Sequence, residues 1–108
     1  MTLDEYQMDA ARTISAQGDG ILQHALHGLS AEVGELHGIY QKVYQGHSMD
    51  TEHIQKEAGD ILWMLAELCT AYGWSLSDIA RKNIEKLRKR YPVGFDPERS
   101  LHREEGDV

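Results

Sequence analysis

Proline is nearly missing from this sequence. Only Pro92 and Pro97 occur, so residues 1–91 lack the strongest helix breaker. Cysteine occurs once, as Cys69, which excludes an internal disulfide. Its apolar neighbours predict a buried core thiol in a reducing compartment rather than a nucleophile. No apolar run approaches the ~20 residues that a membrane span needs. The opening residues, Met1 to Glu5, hold neither a basic segment nor an apolar stretch, so no signal peptide is expected and a cytoplasmic location follows. Positive charge is also scarce. The 11 Lys and Arg face 18 Asp and Glu, for a net charge of −7, which argues against a general nucleic-acid binder. An acidic site that recruits cations and, through them, phosphates remains open. Neither an internal repeat nor a low-complexity tract is present.

What remains is a pattern of apolar residues three and four apart, the period of an α-helix. The 108 residues suit one domain, and 41% apolar with 27% charged residues suits a folded one. The spacing predicts an all-α chain with four helices. The first spans about Leu3 to Ala16 and the second about Ile21 to Tyr44, with a kink expected near Gly28-Leu29-Ser30. The third runs from Asp50 or Thr51 to a stop at Gly73. In the fourth, Ser75 is the N-cap, Leu76, Ile79, Ala80, Ile84, Leu87 and Tyr91 form the inner face, and Pro92-Val93-Gly94-Phe95 ends the helix. Residues 96–108 read as a loose polar tail. Helix three is apolar nearly all round at Trp63, Met64 and Ala66, which predicts burial on several sides and a homo-oligomer, dimer or tetramer.

Two short motifs carry the chemistry. Glu32-Val33-Gly34-Glu35 and Glu57-Ala58-Gly59-Asp60 each place two carboxylates three residues apart, on one face of a helix. Packing the second helix antiparallel on the third brings the pairs together. Clustered, partly buried carboxylates need compensation, and a hard divalent cation is the natural partner: oxygen ligands suit Mg²⁺, Mn²⁺ or Ca²⁺. Solvated helix-surface acids are the plain alternative. A di-iron bundle would use Glu-x-x-His, and no histidine here has a Glu three residues before it.

Helix four concentrates positive charge at Arg81, Lys82, Lys86, Arg88, Lys89 and Arg90. Cations favour a helix C-terminus and also make an ordinary soluble face. Equally, Asn83, Lys86 and Arg90 share one stripe that could hold phosphate oxygens. Tyr6, Trp63, Tyr72 and Trp74 are candidates for stacking on a base, although core and interface roles suit them too.

These motifs and their surroundings resemble the MazG-like all-α nucleoside triphosphate pyrophosphohydrolases. The matching words are Leu29-Ser30-Ala31-Glu32-Val33-Gly34-Glu35, Lys56-Glu57-Ala58-Gly59-Asp60-Ile61-Leu62-Trp63, and the stretch from Lys82 to Pro92. The likeness runs from about Tyr6 to Phe95. It departs at Ala58, where many relatives carry a bulkier Leu. The resemblance implies a four-helix MazG-like bundle over residues 1–95 that forms obligate oligomers. It implies Mg²⁺-dependent hydrolysis of a nucleoside triphosphate between the α and β phosphates. Glu32, Glu35, Glu57 and Asp60 would be metal ligands, and Asn83, Lys86 and Arg90 the triphosphate contacts; from the chemistry of such a site, a carboxylate of the cluster, Glu35, is the candidate to accept the attacking water's proton. A metal-stabilised helical module without turnover is the competing reading. The choice among dCTP, dUTP, dTTP and an oxidised nucleotide stays open.

Overall fold

A computed structural model describes all 108 residues. It is all-α, as the periodicity predicts, with five helices: α1 Leu3–Ala11, α2 Asp19–Tyr44, α3 Thr51–Tyr72, α4 Leu76–Arg90 and α5 Pro97–Leu101. The chain forms two compact units, Met1–Leu76 and Ser77–Val108.

In the first unit, α3 packs against both α2 and α1, which accounts for its broad apolar surface. Ala66, Cys69 and Leu76 make a buried cluster, with Tyr6, Ala10 and Leu62 packed on it. Met64 is also buried, and a side chain of that size contributes roughly 1.5–3 kcal/mol when taken out of water. Burial pushes the Cys69 thiol pKa up, as expected for a core thiol.

The helix ends have local causes. Thr2 and Glu5 form a reciprocal capping box at the start of α1. Asp50 caps α3 by accepting from the His53 amide at 3.0 Å. Gly73, at φ +70°, takes the left-handed conformation that stops α3, and the Trp74 amide closes the turn on the Cys69 carbonyl at 2.8 Å. The α4 entry is tied to α1: Gln7 Oε1 accepts from the Leu76 amide at 2.7 Å, and the Ser75 hydroxyl donates to Asp4 at 2.7 Å.

Three expectations are corrected. First, α1 ends at Ala11, not Ala16. The Thr13 hydroxyl donates to the Ala10 carbonyl at 3.0 Å, competing with the helical ladder, and the Trp63 indole donates to Ala10 at 3.2 Å and Thr13 at 3.1 Å. Second, α2 is continuous through Gly28-Leu29-Ser30. Gly28 serves close packing instead: a Cβ there would lie 2.3 Å from the Met64 sulfur. Third, the expected loose tail contains α5, begun by Asp96 accepting from the Glu98 amide at 3.0 Å, with Pro97 in the first turn. Within the second unit, Ile79, Ile84 and Leu87 of α4 are 40%, 45% and 38% exposed.

Candidate metal centre

The α2 and α3 helices are joined by a short turn at Gly46, where φ is +102°. Their contacts run in opposite directions along the chain: His24 meets Glu67, Gly28 meets Met64, and Glu32 meets Glu57. This antiparallel pairing brings the two acidic motifs face to face. Glu32, Glu35 and Glu57 each place one carboxylate oxygen within 4.8 Å of the others. Asp60 lies outside that tight group and is exposed, yet its charge acts on both Glu32 and Tyr6 of α1.

The group is electrostatically uncomfortable. Burial, first, and then the charge of Glu35 push the Glu32 pKa up, and the charges of Asp60 and Glu57 add to it. Glu57 is only 6% exposed. Its Oε1 accepts from His53 Nε2 at 2.9 Å, whereas its Oε2 and the Oε2 of Glu32 are buried with no hydrogen-bond partner. Buried carboxylate oxygens normally have partners, and these are acceptors only when ionised. The set therefore fits a hard divalent cation in donor type, spacing and unmet demand. Glu32, Glu35 and Glu57 would hold it, with Asp60 within electrostatic reach.

A second polar link lies further along the same helix pair. Glu67 is fully buried, and both its oxygens lie within 2.9 Å of His24 Nδ1. The His24 ring also meets the Trp63 ring edge-on at 6.0 Å. The sequence reading missed both histidine roles. His53 was findable, since it stands four residues before Glu57 on one helix. The His24–Glu67 pair spans 43 positions and carries no local signal.

The basic stripe belongs to the second unit. Lys86 and Arg90 line a cavity there, while Asn83 is not in its wall. Arg90 is already engaged: its Nε and Nη2 donate to the two oxygens of Asp107 at 2.8 and 2.7 Å. Among the aromatics, Tyr72 and Trp74 stack on each other at 4.3 Å, and the Trp63 indole N–H is taken by the end of α1.

Comparisons with known proteins bear on the family. The chain is 28% identical over 105 residues to the "Gene 37 protein" of Mycobacterium phage L5, covering 87% of this chain and 92% of that protein. No solved structure matches it. Residues 22–95, which hold both acidic motifs and all of α4, match the MazG nucleotide pyrophosphohydrolase domain, and the chain belongs to that family.

Proposed function

We propose that this protein hydrolyses (deoxy)nucleoside triphosphates to the monophosphate and pyrophosphate, using Mg²⁺ or Mn²⁺ held by Glu32, Glu35 and Glu57, with Asp60 adding a fourth negative charge and joining as a ligand if its side chain turns inward. The observation that carries the reading is the pair of buried, unpartnered oxygens on Glu32 and Glu57 within a three-carboxylate group. Membership of the MazG family supports the reaction class. Nucleotide-pool housekeeping in the cytoplasm is the corresponding role.

Each residue has a distinct task. His53 holds one oxygen of Glu57 and so turns the other toward Glu32. Glu35 is the exposed member of the group and accepts the proton of the attacking water. When bound by these carboxylates, a divalent cation would supply neutralisation of phosphate charge and a more acidic water. Asn83, Lys86 and Arg90 bind phosphate oxygens, with the Arg90 fork suited to two at once.

The working form is a homodimer or homotetramer. On α2, Leu26, Val33 and Tyr40 recur every seven residues and remain 49%, 37% and 51% exposed in the single chain. Such a stripe fits a second helix.

The decisive assay incubates the purified protein with each (d)NTP and Mg²⁺ and identifies the products. Pyrophosphate and monophosphate are expected. Orthophosphate with a diphosphate would mean cleavage of the other bond and would refute the proposal. No turnover with any nucleotide, alongside Mg²⁺-dependent melting, would leave a metal-stabilised helical module.

A further inference from the structure

The second unit holds a cavity of about 280 Å³ between α4 and the C-terminal tail. Lys86, Lys89, Arg90, Arg99 and Arg103 line it, against the carboxylates of Glu104, Glu105 and Asp107. The second unit carries eight of the chain's 11 Lys and Arg, and five of them meet at this wall. Positive charge converges on one point of that wall, the Asp107 carboxylate. Arg90 grips it through two parallel hydrogen bonds, and Arg103 and Lys86 act on it from further off. Arg90 and Asp107 are only 10% and 16% exposed at their side chains, so the pair is largely shielded from water.

A carboxylate held in a guanidinium fork has the geometry of a bound phosphate edge: two oxygens facing two parallel N–H donors. We propose that Asp107 occupies the place of a polyphosphate oxyanion on Arg90, so that the tail competes with di- and triphosphate ligands for this cavity. This rests on the reading of Lys86 and Arg90 as triphosphate contacts. The tail acts as a strap that holds the fork closed, and an anion carrying several charges displaces it by offering Arg90, Lys86 and Lys89 more oxygens than one carboxylate can. The apparent affinity for the anion is then lowered by the fraction of time the fork is closed.

The test is calorimetric binding of inorganic tripolyphosphate and, separately, pyrophosphate to the full chain in a chelator, with a nucleoside triphosphate as the third titrant. Asp107→Asn, which keeps the shape, should bind tripolyphosphate roughly three- to tenfold more tightly than the wild type, and Asp107→Ala should do the same. Glu98→Gln removes one negative charge from α5 without touching Arg90 and should leave affinity unchanged. A gain with tripolyphosphate and the nucleotide but not pyrophosphate assigns the cavity to substrate; a gain with all three admits product as well. Equal or weaker binding by both Asp107 variants overturns the competition, as does an equal gain from Glu98→Gln. If Arg90→Gln abolishes binding while the Asp107 variants change nothing, the phosphate role of Arg90 stands and the strap alone fails. If Arg90→Gln binds as the wild type does, both fail. Tighter binding by the Asp107 variants with no turnover in any variant removes the hydrolase and keeps the competition.

Discussion

At the scale of single residues, the proposed metal site would impose a cost that substitution can expose. Glu57 is buried beside Glu32; His53 holds one of its oxygens and the other is unpartnered, so without a cation the two like charges stand together only partly compensated. Glu57→Gln removes one charge, keeps the shape and gives the buried Oε2 position the option of an amide donor aimed at Glu32. In a chelator the variant should be more stable than the wild type, by roughly 1 kcal/mol. In millimolar Mg²⁺ the order should narrow or reverse, because only the wild type gains full binding energy. Four melting curves decide it, and identical behaviour of the two proteins with and without Mg²⁺ would remove Glu57 from the site. A second residue-scale outcome concerns pH. The Arg90 fork holds the Asp107 carboxyl below its ordinary value of 3.8. A depressed carboxyl contributes stability that is fully present above the unfolded value and is lost as pH falls through the folded one. The melting difference between wild type and Asp107→Asn should therefore be constant at neutral and mildly acidic pH and shrink only below 3.8. A difference that already closes near neutrality would point to another group.

At the scale of elements, the glycines of α2 separate local propensity from packing. By propensity alone Gly28, Gly34 and Gly38 weaken the helix equally. In the folded chain they differ. A Cβ at Gly28 would meet the Met64 sulfur at 2.3 Å, whereas nothing lies within 4 Å of one at Gly38. Gly38→Ala should stabilise by about 0.5–1 kcal/mol. Gly28→Ala should destabilise by about 1 kcal/mol, since displacing buried Met64 outweighs the propensity gain. Adding Met64→Val, which removes the obstructing atoms, should recover part of that loss in a double-mutant cycle. Additive effects would mean that the helices do not approach closely there. The same distinction explains what was legible in the sequence. Helix positions and the two acidic motifs depend on neighbours three and four residues away, so α2, α3 and the start of α4 could be read directly. The end of α1 depends on Trp63, 50 positions from Thr13, and could not. The short α5 did announce itself in Asp96-Pro97-Glu98, an N-cap followed by a first-turn proline, but polar composition hid the signal. The Arg90–Asp107 pair, 17 positions apart, left no trace in the pattern.

At the scale of the whole molecule, the first unit leaves apolar surface on α2 that its own helices do not cover. Leu26, Val33 and Tyr40 stand one heptad apart, so they fall on nearly the same line along the helix. A second face of α2, about a third of a turn round from the stripe, is spent on α3 through Ala25, Ile39 and the Gly28–Met64 approach. Two faces of one helix thus point to two partners, and the first unit supplies only one of them. A copy of the same chain is the economical second, because an isologous contact meets each stripe with its own image. Light scattering should therefore give a dimer or tetramer at micromolar concentration. Leu26→Glu places a charge on the stripe away from the acidic group, and it should shift the assembly toward monomer without changing the helical content of the chain. A wild-type monomer would refute the assembly outright. An oligomer unmoved by Leu26→Glu would place the interface elsewhere, with the exposed Ile79, Ile84 and Leu87 of α4 as the next surface to alter.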